Sequence, residues 1–418
     1  MGHQPSARKY RPGTFAEVVG QPFIVETLRN ALRHGKLAPA YLFFGPRGVG
    51  KTTCARILAK AVNCERLTPD GDPCGECPSC RRFAEGRSLN LIELDAASHN
   101  SVDDIRLLTD QVYLTPPEGR YKVYILDEAH MLTTAAFNAF LKTLEEPPPH
   151  ALFILATTEK HKIPATILSR CQRFDFRRIP TEAMVRRLAH IAQQEGLSVE
   201  EDALYLIATK AEGSLRDALS LLDQLVSRTA GQLTYAAALQ ALETLDYEAY
   251  FEISGYLRSW QGEKALEAIH RYLQAGQEPA TLTQGLLGHF RNLLLAHYEP
   301  KALQENLPPH YRKRYEEEAP RYAEAFLLHG IDLLLEAERR QTYSRAPEIA
   351  LEAAVLKIAL LPMALTEKKA PEPQSAASPP PAPPTRPASS TSLTPRATLP
   401  RSLEEVKKKS SVPPKEPN

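Results

Sequence analysis

No apolar run in this 418-residue chain approaches the roughly 18 residues a membrane-crossing helix needs. The opening stretch, MGHQPSARKYRPGTF, lacks the apolar core of a signal peptide, so a cytosolic chain is expected. An excess of one charge is missing too: 51 Lys and Arg against 50 Asp and Glu leave a formal net charge of +1. Affinity for nucleic acid would therefore have to come from local patches or from partners. Internal repeats are absent, which sets aside a repeat array. Cysteine is scarce, with six in all, and four of them, Cys64, Cys74, Cys77 and Cys80, fall within one short stretch. In a reducing cytosol such a cluster points to metal rather than to disulfides, and the isolated Cys54 and Cys171 read as buried packing.

The length exceeds what one core usually organises, so two or three domains are expected. Short apolar runs at Ala40–Phe44, Leu89–Leu94, Val123–Leu126 and Leu152–Ala156 alternate with helical or polar segments, the pattern of buried parallel strands. Residues 1–178 thus read as an α/β nucleotide-binding domain. From about 180 no strand-like run remains, and helical periodicity predicts a small all-α unit over 179–243 and a larger one over 244–365. The amphipathic faces of the larger unit suit either packing between subunits or an ordinary core. Beyond 366 the chain is rich in Pro, Ser, Ala and Thr, and 13 of its 35 prolines sit in the last 53 residues. Such a composition buries too little surface to offset chain entropy, so 366–418 is expected to be a disordered tail.

Gly45-Pro46-Arg47-Gly48-Val49-Gly50-Lys51-Thr52 fits the phosphate-loop pattern GxxxxGKT between an expected strand and an expected helix. Its glycines let backbone N–H groups turn onto phosphates, Lys51 adds a positive charge near the β and γ oxygens, and Thr52 offers a hydroxyl to Mg²⁺. The nucleotide contacts are expected to continue to Thr53. Asp127 and Glu128 end the run VYILDE where open α/β sheets bind ligands. Asp127 is expected on Mg²⁺, and Glu128 to orient the attacking water. Cys64-x9-Cys74-x2-Cys77-x2-Cys80 supplies four thiolates, a closed structural Zn²⁺ site. Between Lys160 and Arg187, eight Lys or Arg face two acidic residues, either a phosphate-contacting patch or a solvated basic face.

Several fragments in order, ARKYRPGTFAEVVGQ, GPRGVGKTT, the four-cysteine insertion, LDEAHMLTTAAFNAFLKTLEEPP, LATTE, ILSRCQRF and GSLRDALSLLDQ, resemble the γ/τ family of bacterial DNA polymerase III clamp-loader subunits. The resemblance runs from residue 7 to about 226 and more loosely to 365. It implies a RecA-like AAA+ core (1–178, with the zinc insertion at 64–80), a helical lid (179–243) and a collar (244–365) that assembles a pentamer. It further implies Thr157 as a polar sensor, Arg170 of Ser169-Arg170-Cys171 as an arginine finger acting on a neighbour's ATP, and Arg216 as a second sensor. Ala7, Arg11 and Pro12 would line the adenine and ribose. The implied partners are δ, δ′ and further γ/τ copies, the β sliding clamp and primed DNA, with ATP, Mg²⁺ and Zn²⁺ as cofactors, no membrane, and a cytoplasmic, nucleoid-associated setting. The chain ends at KKKSSVPPKEPN without the folded segments of the long form, so it resembles the short γ form or a truncated long one. The Lys407-Lys408-Lys409 run is compatible with translational slippage on an A-rich tract. Two rivals are another AAA+ DNA-processing ATPase, of helicase-loading or branch-migration type, and an ATP-binding tethering scaffold; the zinc insertion and the SRC triplet argue against the first.

Overall fold

The computed structural model describes residues 4–367 except 230, 243 and 306. The expectations for the tail, including Lys407–Lys409, fall outside the described residues from position 368 onward. Five parallel strands form the first layer: β1 (Ala40–Phe44), β2 (Leu91–Asp95), β3 (Lys122–Asp127), β4 (Ala151–Thr157) and β5 (Gln172–Asp175), in the order β2-β3-β4-β1-β5. Because successive side chains leave a strand on opposite faces, these runs feed two cores. Tyr41, Phe43, Val123, Ile125 and Ile154 pack on one face, and Leu42, Tyr124, Leu126, Phe153 and Leu155 on the other. All seven residues of β4 are buried, which explains why it reads as a continuous apolar run.

β5 was not expected. Its sequence QRFD buries only Phe174, so it carries no apolar run, yet it pairs with β1 at the sheet edge. The helices that cover the sheet start where side chains replace missing intrahelical acceptors. Thr133 Oγ1 accepts from the Ala136 N–H at 3.1 Å, and Ser101 with Asp104 forms a reciprocal cap.

Beyond Ile179, helices Thr181–Gln194, Glu201–Lys210, Leu215–Arg228 and Tyr235–Ala241 bury Met184, Leu188, Ile207, Leu222 and Leu225 in one cluster. The unit is helical as expected, with one small addition: Ser198–Val199 and Gln232–Leu233 form a two-stranded parallel ladder. Two residues per strand are too few for an alternating pattern to register. The turn Ser6–Lys9 also packs here, with the Ser6 N–H donating to Asp223 Oδ2 at 2.7 Å.

A larger helical cluster follows, from Tyr247–Arg258 to Pro347–Glu367. At its centre His289, 2% exposed, bonds Tyr315 Oη at 2.8 Å and Ser254 Oγ at 2.9 Å. Burial, with the Arg314 charge adding to it, lowers the His289 pKa from 6.5 to about 3. No described helix is long and apolar enough to cross a membrane.

Candidate functional site

The turn from β1 into helix Lys51–Val62 brings backbone into contacts that leave no space for side chains. A Cβ on Gly48, whose φ is +74°, would stand 1.9 Å from Ser214 Oγ at the start of helix Leu215–Arg228. Lys51 folds back over this turn, and its Nζ donates to the Gly45 and Pro46 carbonyls at 2.8 and 2.6 Å. Burial lowers its pKa, while the Glu128 and Asp127 carboxylates pull the other way. The result is a cation held at a helix N-terminus, where an arriving phosphate meets backbone N–H groups and a mobile charge together.

The turn borders a cavity of about 360 Å³, of a size for a small ligand. Its walls differ in chemistry. Arg47 to Thr53 supply the loop side; Asp127, Glu128 and Asp95 supply carboxylates from the ends of β3 and β2. Thr52 Oγ1 donates to Asp127 Oδ2 at 2.8 Å, which places the hydroxyl and carboxylate that suit one hard cation side by side. Glu128 holds a left-handed backbone at φ +48°, uncommon for a residue with a Cβ and a form of strain that recurs at functional sites. Val18, Val19, Ile179, Leu215 and Leu219 make an apolar wall, joined by Ala7, Tyr10, Arg11 and Pro12. Arg216 enters from the smaller helical unit, on helix Leu215–Arg228. The Arg11 pKa is lowered by burial first and then by repulsion from Arg56 and Arg216, the situation of a cation awaiting an anion.

Not every residue singled out from sequence reaches this cavity. Thr157, fully buried at the end of β4, is absent from its walls. Its Oγ1 lies 3.2 Å from His130 Nδ1 and accepts from the Glu159 N–H at 3.0 Å. His130 Nδ1 is in turn 3.5 Å from Glu128 Oε2, so an imidazole stands between Thr157 and the cavity wall. Gly45 and Pro46 contribute carbonyls to Lys51 rather than lining. Arg170 lies elsewhere, bonded to Glu145 and to the Thr166 carbonyl. Sequence reasoning missed Tyr10, Val18, Val19, Asp95, Ile179, Leu215 and Leu219; all are ordinary residue types gathered from distant segments.

The sulfurs of Cys64, Cys74, Cys77 and Cys80 lie within 4.8 Å of one another. A tetrahedral site with Zn–S bonds of about 2.3 Å needs sulfurs only slightly closer, so the set fits such an ion. Backbone N–H groups of Cys74, Cys77 and Cys80 donate to the sulfurs of Cys64, Cys74 and Cys77 at 3.3 to 3.4 Å, a pattern that favours thiolates. Donation from Cys77 and Glu76 lowers the Cys74 pKa to about 6, whereas burial raises the Cys64 and Cys80 thiols, the groups a bound cation would have to offset. Cys54 and Cys171 are buried, and burial alone raises their thiols to about 12 and about 11.

Half of the eight basic residues in the stretch from Lys160 to Arg187 form ion pairs within the chain. Lys162, Arg170, Arg178 and Arg186 pair with Glu159, Glu145, Glu212 and Glu182, and Lys160 stands 4.4 Å from the Phe44 ring centroid.

Three family models match the chain in succession: DNA polymerase III, delta subunit, over residues 20–180; DNA polymerase III clamp loader subunit, ATPase lid domain, over 183–231; and DNA polymerase III subunits gamma and tau domain III, over 233–371. DNA polymerase III subunit tau of Bacillus subtilis is 45% identical over 361 residues, covering 86% of this chain and 63% of that protein. Its Escherichia coli counterpart is 44% identical over 307 residues, covering 73% of this chain and 48% of that one. DNA polymerase III subunit gamma/tau of Mycobacterium tuberculosis is 40% identical over 363 residues, covering 85% and 62%. The chain thus spans between about half and two thirds of the length of these relatives. Among solved structures, a Thermotoga maritima RuvB Holliday junction branch migration motor aligns at TM-score 0.42 and 18% identity over 59% of this chain and 79% of that one.

Proposed function

The chain belongs to the γ/τ family of DNA polymerase III clamp-loader subunits, and from that premise we propose that it binds and hydrolyses ATP to open a sliding clamp and load it onto primed DNA. The observation that carries this reading is one cavity where the phosphate-loop turn, the Thr52–Asp127 pair, Glu128 and Arg216 converge from two structural units.

In this reading the triphosphate lies along Arg47–Thr53, with Lys51 exchanging the Gly45 and Pro46 carbonyls for phosphate oxygens. Thr52 and Asp127 would hold Mg²⁺, which when bound would supply neutralisation of phosphate charge. Glu128 orients and deprotonates the attacking water, and Thr157 acts on Glu128 through His130. Arg216 carries γ-phosphate occupancy to the lid. Arg170, displayed away from this cavity, completes the site of an adjacent subunit and stabilises charge there in the transition state. Nucleotide state then sets lid and neighbour together, the behaviour of a switch. Cys64, Cys74, Cys77 and Cys80 hold a structural Zn²⁺. The partners are δ, δ′ and further copies of this chain in a pentamer joined through the collar, the β clamp and primed DNA, in the cytoplasm.

The test is steady-state ATP hydrolysis by the chain mixed with δ and δ′, with and without clamp and primed DNA. Stimulation by the two together supports loading. Turnover indifferent to both would reduce the protein to a generic ATPase.

A further inference from the structure

The four-cysteine insertion is tied to the nucleotide cavity from two sides. Upstream, Cys64 follows Asn63, which ends helix Lys51–Val62, the helix whose first turn carries Lys51 and Thr52. Downstream, Asp72, 6% exposed, reaches out of the insertion to the segment before the first strand. Its Oδ1 accepts from the Phe15 N–H at 2.6 Å, and its Oδ2 pairs with Arg29 on helix Pro22–Arg33. The carboxylate is braced within its own loop, because the Asp72 N–H donates to Thr68 Oγ1 at 3.0 Å and the Thr68 N–H donates to the Asp72 carbonyl at 2.9 Å. At Gly71 a Cβ would stand 3.1 Å from the Arg29 carbonyl oxygen, so the loop's backbone lies directly on that helix.

Phe15 is buried, and it sits between the two stretches, Tyr10–Pro12 and Val18–Val19, that line the cavity away from the phosphate turn. A charged turn and an apolar wall in one cavity divide a nucleotide naturally: phosphates to the first, base and ribose to the second. We propose that Asp72 is a positioning residue for the nucleoside half of the ligand, the strut by which the cysteine insertion fixes the spacing between the phosphate-binding helix and the base-side wall. This assignment rests on the ATP reading above. A buried carboxylate is suited to the role, since its bond to an N–H is charge-assisted and its loss strands both that N–H and a guanidinium. Neither Asp72 nor Phe15 touches the cavity, so the effect passes through Arg11, Pro12, Val18 and Val19.

The experiment compares binding of ATP and of inorganic tripolyphosphate, each with Mg²⁺, by calorimetric titration of the full chain. In Asp72→Ala, ATP affinity falls about tenfold while tripolyphosphate affinity stays at the wild-type level. Asp72→Asn keeps the acceptor for Phe15 and restores most of the ATP affinity. Asp72→Glu, which preserves charge but displaces the acceptor by one methylene, gives the same selective loss in smaller measure and serves if the alanine variant does not fold. Equal weakening of both ligands, or unchanged ATP binding in Asp72→Ala and Asp72→Glu, overturns the assignment while the ATP reading stands. A wild-type chain that binds neither ligand overturns both.

Discussion

Arg170 donates from Nη2 to Glu145 Oε1 at 2.6 Å, and the pair lies apart from the cavity that Arg216 enters. The arginine is thus held by a partly exposed partner that a better anion can displace. Exposed pairs of this kind contribute at most about 1 kcal/mol, so the pair positions more than it stabilises.

Arg170→Ala should leave the melting temperature and the ATP affinity of the isolated chain unchanged. In the assembled loader, clamp- and DNA-stimulated hydrolysis should fall about a thousandfold. Thermal denaturation, nucleotide titration and steady-state turnover on the same preparations check all three. An Arg170→Ala assembly turning over at the wild-type rate would remove the finger assignment.

Gly48→Ala should fold and yet lose nucleotide. The new Cβ meets Ser214 Oγ, and the positive φ strains any side chain, so the phosphate turn or the lid helix must shift. ATP affinity drops at least about tenfold, measured by titration, with the far-ultraviolet spectrum unchanged. Pairing it with Ser214→Gly, which removes the clashing hydroxymethyl, should recover part of the loss; no recovery would mean backbone strain alone is responsible.

The purified chain should carry a single zinc ion, read by elemental analysis. Chelation, or Cys77→Ser, should lower the melting temperature by more than about 5 °C, because a closed four-thiolate site contributes its binding energy to folding. Retention of full stability with the metal gone would make the cluster a set of free thiols.

Stability should also fall in acid because of His289. Its folded-state pKa of about 3 lies below the ordinary 6.5, so between those values the unfolded chain binds the extra proton. The stabilisation is complete above about pH 6.5 and is lost as pH falls toward 3, at up to about 1.4 kcal/mol per pH unit. Denaturant unfolding at several pH values, compared with His289→Gln, isolates the term: the variant is less stable at neutral pH, and its dependence on pH through this window is shallower.

Residues that act through local geometry were the legible ones. The phosphate turn, the acidic end of β3 and the cysteine spacing each put their chemistry within a few consecutive positions, and a sequence displays such arrangements directly. What closes the cavity was not legible. Val18, Ile179, Leu215 and Leu219 are apolar residues that become a wall only when the second unit folds over the first. Asp95 reads as the end of a weak strand until its pairing with Asp127 in the sheet register is known. β5 escaped notice because a sheet edge asks for one buried phenylalanine rather than an apolar run, and the Ser198–Gln232 ladder because it is shorter than any periodicity.

The segment from Ser6 to Phe15 is fastened at both ends to different parts of the molecule. Ser6 holds Asp223 on the lid helix Leu215–Arg228, and Phe15 holds Asp72 in the insertion on the core. Lys9 and Tyr10 also bond Glu195 of the helical unit, and Tyr10, Arg11 and Pro12 face the cavity. Within this segment only Arg11 to Thr14 cross from one unit to the other, so any change in the angle between the units would act first on those four residues, two of which border the cavity.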